Sequence, residues 1–106
     1  MNIWIFQGSP DKFDIEGYLI AGLEKITWMV TRYADRIQPG DLVYIWQAAG
    51  KKKATSGIIA SATVISEVWS GVDEISAHPF WKVAGAESVV SDRVWLRVEK
   101  VANRKE

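Results

Sequence analysis

Alternating apolar and polar positions give the strongest structural signal in the chain. In residues 37–46 a Pro-Gly-Asp turn leads directly into the apolar run Leu-Val-Tyr-Ile-Trp. Pro39 and Gly40 suit a tight turn, and the β-branched and aromatic residues that follow favour a strand. Successive residues of a strand lie on opposite faces, and both faces of this one are apolar. The pattern therefore predicts a tight turn that enters a central strand of the core.

The same pattern predicts about five strands and one or two helices in all. Small residues near the middle of the long fourth strand indicate a bend or bulge there. Residues 31–36 are typical of a polar turn, residues 50–56 of a basic hairpin loop, and residues 73–76 of a helical turn. Strands are predicted over residues 2–7, 26–30, 42–46, 56–69 and 89–101, and a helix capped by Ser9 or Asp11 that runs to about residue 22.

These elements predict a single α+β domain. They show no regular alternation of strands and helices, so a parallel doubly wound sheet is disfavoured, and a small, curved mixed sheet or barrel of about five strands with flanking short helices fits best. The domain is expected to cover residues 1–102. Residues 103–106 form a polar tail or the start of a linker.

Composition excludes several classes of protein. There is no cysteine, which removes disulfides, thiolate metal sites and a cysteine nucleophile. Basic and acidic residues both number 13, so any electrostatic attraction to nucleic acid must be local. No signal peptide or membrane-spanning run is present, which favours a cytoplasmic protein with no membrane partner.

The sequence gives little support for catalysis. His78 is the only histidine, and Pro79 follows it directly, which favours an extended structural segment. No phosphate-binding glycine loop is present. We therefore expect a protein that is not an enzyme and has no cofactor and no metal. A catalytic role for His78 with Asp73 or Glu74 ranks last.

Six tryptophans in a chain of 106 residues are the most informative feature of the composition. Trp4 and Trp95 lie inside predicted strands and are expected to pack there. Trp28 and Trp46 end short extended segments beside polar turns, where an indole face can stay accessible to a ligand. Such faces can stack on a planar base or enclose a methylated nitrogen.

Basic residues near these tryptophans are candidates for phosphate contacts. The alternative for the lysine triplet is a solvated loop tip. The candidates are Arg32, Arg36, Lys51, Lys52 and Lys53.

The ordered motifs together resemble the EVE domain, a member of the PUA-like superfamily related to the YTH readers of N6-methyladenine. The resemblance covers nearly the whole chain. It rests on Trp-Ile-Phe-Gln-Gly-Ser-Pro at residues 4–10, Ile-Thr-Trp-Met-Val-Thr-Arg-Tyr at 26–33, Gln-Pro-Gly-Asp at 38–41, Val-Tyr-Ile-Trp at 43–46, Ser-Gly-Ile-Ile-Ala at 56–60 and Val-Trp-Leu-Arg-Val at 94–98.

The resemblance implies a PUA-like β-barrel that binds nucleic acid and takes a modified base, flipped out of its strand, into an aromatic pocket. It favours DNA over RNA, and a reader domain linked to a motor or nuclease domain in a modification-dependent restriction protein of the McrB type. The base would be methylated adenine or a modified cytosine. The implied pocket consists of Trp28 and Trp46 as walls, Trp81 as a weaker third, and Gln7, Ser9 and Gln47 as hydrogen-bonding groups.

Two other interpretations stay open at this point. One is that the domain belongs among RNA-binding EVE or YTH-like modules. Alternatively, the aromatic pocket takes a free metabolite or the side chain of a protein partner, for which a neutral overall charge is natural. Salt dependence separates this last alternative from nucleic-acid binding, because phosphate contacts weaken steeply with added salt.

Overall fold

A computed structural model describes residues 1–49 and 57–102 of the chain. It confirms the predicted α+β class: a curved mixed sheet with a few short helices. The elements in chain order are β1 (Ile3–Gly8), α1 (Ile15–Ile20), β2 (Ile26–Met29), β3 (Leu42–Gln47), β4 (Gly57–Val64), β5 (Trp69–Gly71), 3-10 helices at Ile75–Phe80 and Ala86–Ser88, and β6 (Ser91–Val101).

The sheet curls so that its two edge strands approach each other. Its order is β1-β3-β4-β6-β2, with β5 paired to β6, which places β1 at one edge and β2 at the other. Only the β1–β3 pair is parallel among these strands. Phe6 of β1 and Trp28 of β2 have ring centroids 6.4 Å apart, so aromatic packing bridges the two edges. We call this line of contact between β1 and β2 the seam.

The turn before β3 is held by a buried carboxylate. Gly40 has φ +95°, a conformation that favours glycine. Asp41 accepts hydrogen bonds from the Trp4 indole N–H (2.9 Å) and from the main-chain N–H groups of Asn2 (3.0 Å) and Gln38 (3.1 Å). Desolvation of Asp41 raises its pKa, but these hydrogen bonds outweigh it, so the pKa lies below its usual range. The carboxylate thereby ties β1 to the turn that enters β3.

The alternation predicted for β3 is confirmed. Val43 and Ile45 are buried, whereas Trp46, at an even position, is 37% exposed on the outer face. The inner faces of β3, β4 and β6 and the buried side of α1 form one apolar core. Ala60 and Ala62 lie within this core beside a register shift between Ser61 and Ala62. The bend predicted for the fourth strand is therefore present.

Two predicted elements have different bounds. The helix begins later than predicted because Asp14 is its N-cap, accepting a hydrogen bond from the Gly17 N–H at 3.1 Å. Ser9 instead closes a tight turn, in which its carbonyl accepts from the N–H groups of Lys12 and Phe13. The long strand predicted over residues 56–69 ends at Val64, and Trp69–Gly71 forms a separate strand on β6.

Some predictions fall outside the described residues. These are the basic hairpin loop at residues 50–56 and the polar tail at residues 103–106. The strands on either side of residues 50–56, β3 and β4, do pair antiparallel. Within residues 1–49 and 57–102, no helix has the length and apolar character needed to span a bilayer.

Candidate functional site

A cavity of about 200 Å³ opens at the seam, beside the carboxyl-terminal end of β1. Its walls come from the end of β1, the turn that follows it, β2, the segment around the 3-10 helix Ile75–Phe80, and the start of β6. The lining residues are Gln7, Gly8, Ser9, Lys12, Phe13, Ile15, Thr27, Trp28, Met29, Thr31, Asp73, Trp81 and Arg93.

Trp28 forms the inner wall of the cavity. Its side chain is only 9% exposed, and its ring stacks on Phe6 across the seam. A Cβ atom on Gly8 would lie 3.2 Å from Cζ2 of Trp28 and 2.7 Å from Cδ1 of Ile15. Glycine at position 8 therefore lets the indole pack directly against the end of β1, and Trp28 belongs both to the cavity and to the core.

Trp81 forms a second aromatic wall. It directly follows the 3-10 helix Ile75–Phe80, is half-buried, and makes a bridge to Phe13 in the turn after β1. The rings of Phe13 and Trp81 pack edge to face with centroids 4.8 Å apart. The indole Nε1 of Trp81 donates a 2.8 Å hydrogen bond to Oδ2 of Asp73. Both its position and its orientation are thus fixed by contacts distant in sequence.

A buried hydrogen-bond network supports the floor of the cavity. Asp73 is 6% exposed, and its Oδ1 accepts hydrogen bonds from the Thr27 hydroxyl and from the Glu74 N–H (2.9 Å). The Thr27 N–H donates to the Tyr18 hydroxyl (2.9 Å), which donates to Oε2 of Glu74 (2.6 Å). Burial and the bond to Glu74 raise the pKa of Tyr18 above its usual range. The phenol is therefore neutral, and α1, β2 and residues 73–74 are joined by one network.

A buried cation balances the buried carboxylate of this network. Arg93 on β6 is 1% exposed, and its NH1 lies 3.8 Å from Oδ2 of Asp73. Its Nε donates to the Gly71 carbonyl (3.0 Å) and its NH2 to the Val89 carbonyl (2.9 Å). The cavity therefore combines two indole walls with a floor whose opposite charges are paired.

A larger groove of about 620 Å³ runs along the seam beside the cavity. It lies between β1 and the segment that continues from β2 into the polar turn. The two spaces share Gln7, Trp28, Met29 and Thr31. The cavity and the groove are therefore adjacent. The groove is lined by Ile3, Trp4, Ile5, Phe6, Gln7, Trp28, Met29, Val30, Thr31, Arg32, Tyr33 and Ile37.

The structure brings together four of the six residues assigned to the pocket from sequence. Trp28, Trp81, Gln7 and Ser9 all line the cavity. Trp46 does not, because it lies on the outer face of β3, opposite the buried Val43 and Ile45.

Gln47 is the other residue assigned to the pocket that the structure places elsewhere. Its side chain is buried and donates a 3.0 Å hydrogen bond to Oε2 of Glu16 on α1. Gln47 does not line the cavity. The structure therefore does not bring Trp46 and Gln47 to the cavity that Trp28 lines.

Of the residues predicted to contact phosphates, the structure describes Arg32 and Arg36. Arg32 is exposed and lines the groove. Arg36 is exposed, and its guanidinium carbon lies 6.0 Å from the centroid of the Tyr33 ring. Lys51, Lys52 and Lys53 lie outside the described residues.

His78 takes no part in the cavity. Its Nε2 lies 3.3 Å from the main-chain carbonyl oxygen of Asp73, and the ring is half-buried in the 3-10 helix. The carboxylate of Asp73 is directed instead to Thr27 and Trp81. Over the described ranges, no group of three or more histidine, cysteine, aspartate or glutamate side chains is placed to hold a metal ion.

Sequence reasoning missed several cavity residues. Phe13 falls within the predicted helix and Thr27 within a predicted strand, while the sequence predicts no role at the site for Lys12 or Arg93. Asp73 was considered only as a partner of His78. No local pattern identifies them, because pairing between distant segments places them at the cavity: the Lys12 carbonyl accepts from the Lys82 N–H (2.8 Å), and the Phe80 carbonyl from the Asp14 N–H (2.7 Å).

Comparison with known proteins identifies the family. The family model for the EVE domain matches residues 2–105. No curated protein matches significantly. Two solved structures resemble the fold, each with a TM-score of 0.56 and 15% identity: Rpa0253 from Rhodopseudomonas palustris, by NMR, and PSPTO5229 from Pseudomonas syringae, by crystallography. The alignments cover 95% of this chain and 63% of the first structure, and 93% of this chain and 68% of the second.

Proposed function

The chain belongs to the EVE domain family, a PUA-like family of nucleic-acid-binding modules, and from this we propose that it is a non-catalytic reader that takes one modified base into the cavity at the seam. The observation that carries the proposal is the pairing of Trp28 and Trp81 at one cavity of about 200 Å³. Indole faces stack on any base, and they gain further dispersion contact from a methyl group.

The supporting contacts of the two indoles suit them to this role. Trp28 is held by Phe6 and by the close approach of Gly8, and Trp81 by Phe13 and Asp73. Walls that are already fixed need little ordering when a ligand enters, so less of the stacking energy is lost on binding. Gln7 and Ser9 at the cavity supply groups that can hydrogen-bond the edge of the base.

The groove suits the nucleotides next to the inserted base. It adjoins the cavity, with which it shares Gln7, Trp28, Met29 and Thr31. Arg32 on the groove and Lys12 at the cavity are both exposed, which lets them meet phosphates on either side of the base. A base within a duplex would first have to be flipped out, which costs a few kcal/mol that stacking and hydrogen bonds must offset.

We further propose that the natural target is DNA and that the domain serves a modification-dependent restriction protein of the McrB type. A linked motor or nuclease domain would then act on the DNA that this domain recognises, in the cytoplasm. These proposals rest on the family resemblance of the sequence motifs rather than on the geometry of the cavity. N6-methyladenine, 5-methylcytosine and 5-hydroxymethylcytosine are the modifications to be distinguished.

Fluorescence anisotropy with labelled oligonucleotides tests the proposal. Matched DNA duplexes and single strands carry one of the three modified bases or none, and a methylated RNA strand is included. We expect one modification to bind at least about 10-fold more tightly than the unmodified strand, since one added apolar group in a fitted pocket contributes about 1–3 kcal/mol. The same affinity for modified and unmodified strands would reject a modified-base reader.

A second candidate function is a module that takes a small molecule or the side chain of a protein partner. The balanced charge of the chain, with 13 basic and 13 acidic residues, favours it. Repeating the measurement at two salt concentrations separates the candidates. Affinity for nucleic acid falls steeply with salt because phosphate contacts release counterions, whereas affinity for an uncharged ligand of an apolar pocket hardly changes.

A further inference from the structure

Arg93 is a buried cation whose surroundings leave part of its hydrogen-bonding capacity unused. It is 1% exposed and lies on β6 opposite Met29 of β2 on one side and Trp69 of β5 on the other. A guanidinium group carries five N–H donors. Two of its nitrogens are held, Nε by the Gly71 carbonyl and NH2 by the Val89 carbonyl. These bonds fix the plane of the guanidinium.

The third nitrogen, NH1, has no hydrogen bond to any residue within 1–49 or 57–102. Its nearest carboxylate oxygen is Oδ2 of Asp73 at 3.8 Å, beyond hydrogen-bonding distance. That oxygen already accepts from the Trp81 indole, and Oδ1 accepts from Thr27 and Glu74. Asp73 therefore balances the charge of Arg93 without occupying its NH1 donors.

The NH1 donors lie on the side of Arg93 that faces Asp73. Arg93, Asp73, Thr27 and Trp81 all line the cavity, and NH1 is the nitrogen on the Asp73 side. A hydrogen bond donated by a charged group is among the stronger ones, so an acceptor placed beside NH1 would gain more than one placed beside a neutral donor.

We propose that NH1 of Arg93 donates a hydrogen bond to an acceptor on the edge of the inserted base, a ring nitrogen or a carbonyl oxygen. This inference rests on the proposed function of the cavity. Trp28 and Trp81 then supply stacking, which every base and many flat apolar groups can provide. Arg93 supplies the selection for a true nucleobase over such groups, because a site built to donate a hydrogen bond discriminates against a ligand that lacks the acceptor.

The test compares two probes on the wild-type protein and on matched variants. One probe is the modified single-stranded oligonucleotide that binds most tightly. The other carries a naphthyl nucleoside at the same position, which stacks but has no acceptor. Arg93→Met removes the donor. Arg97→Met is the control, since Arg97 lies on the same strand, is exposed and pairs with Glu99 rather than with the cavity.

We expect the naphthyl probe to bind the wild type and Arg97→Met roughly 10- to 100-fold more weakly than the modified base, the usual effect of losing a hydrogen bond to a charged group. In Arg93→Met the ratio of the two dissociation constants, naphthyl probe over modified base, should fall by at least about 5-fold, because the donor is gone. If this ratio is the same in Arg93→Met as in the wild type, the role proposed for Arg93 is wrong. The proposed function would still stand if the protein binds modified strands more tightly than unmodified ones.

A second measurement needs no variant and covers the case in which Arg93→Met does not fold. The guanidinium proton resonances of Arg93 are followed by NMR while each probe is added to the wild-type protein. The modified base should shift and sharpen the NH1 protons as they acquire an acceptor, and the naphthyl probe should not. The same response to both probes would contradict the inference, and a failure of every modified strand to bind would remove it together with the proposed function.

Discussion

Truncating Trp81 tests the revised location of the pocket, with Trp46→Ala as its matched control. Trp81 lines the cavity and packs edge to face on Phe13, whereas Trp46 is 37% exposed on the opposite side of the sheet. Stacking on an aromatic residue contributes about 1–3 kcal/mol per base, so Trp81→Ala should raise Kd by about 5- to 150-fold. Trp46→Ala should leave Kd within about 2-fold of the wild type, because it removes no contact with the base.

The stability of each variant has to be measured beside its affinity. Trp81 also donates a hydrogen bond to Asp73, so Trp81→Ala should lower the free energy of unfolding by about 2–3 kcal/mol, less than for a fully buried tryptophan. Trp81→Phe keeps a ring but loses the donor, and we expect its affinity to lie between those of the wild type and Trp81→Ala.

Anisotropy with the best modified oligonucleotide measures affinity, and thermal unfolding followed by circular dichroism establishes that each variant is folded at the assay temperature. The reasoning is refuted if folded Trp81→Ala binds as tightly as the wild type. It is also refuted if Trp46→Ala loses as much affinity as Trp81→Ala, since the base would then stack on the outer face of the sheet.

Four further predictions follow from the contacts of single residues. Asp41→Asn should lower stability at pH 7 and, in acid unfolding titrations, flatten the loss of stability that we expect of the wild type below about pH 4, because a carboxylate with a depressed pKa stabilises the fold only while it is ionised. Tyr18→Phe should cost about 1–3 kcal/mol in denaturant unfolding and remove a loss of stability above about pH 10, since the phenol has a raised pKa and stabilises the fold only while it is protonated. Gly8→Ala should cost about 1–3 kcal/mol and change the fluorescence of Trp28, because the added methyl group would overlap Ile15 and press on the indole. Lys12→Gln should weaken modified and unmodified strands equally and reduce the slope of log K against log salt by about 1, whereas a change in selectivity would show that Lys12 contacts the base.

Local pattern was sufficient to predict much of the fold. The alternation of residues 42–46 predicted both the strand and its two faces, and the small residues of the fourth strand predicted a bend or bulge, which the structure has between Ser61 and Ala62. These features depend on neighbours in sequence. The bounds of α1 were missed because Ser9, Asp11 and Asp14 are all acceptable N-caps, and tertiary contacts select Asp14.

The pocket was only partly predictable, and the reasons are physical. Parity places Trp46 on the strand face of Leu42 and Tyr44, opposite Val43 and Ile45, but both faces are apolar, so parity does not tell which face is buried. The seam could not be predicted from parity either. It depends on the order of five strands, which brings β1 and β2 together although β3, β4 and β6 separate them within the sheet.

The polar residues at the floor of the cavity could not be predicted from local sequence pattern either, for a related reason. Asp73 and Arg93 lie 20 residues apart in sequence and meet only because the segment before the 3-10 helix packs against the start of β6. In sequence each is a charged residue of a kind that is usually exposed. Only their burial marks them as part of the site.

The central claim is that the cavity at the seam binds a modified base. The most direct test is binding of the wild-type domain to strands that differ only in one modified base, with tryptophan fluorescence recorded at two salt concentrations. We predict tighter binding of one modified strand and weaker binding at the higher salt. We also predict quenching of tryptophan fluorescence that Trp81→Phe reduces and Trp46→Phe does not. Equal binding of modified and unmodified strands, or quenching that disappears only in Trp46→Phe, would contradict it.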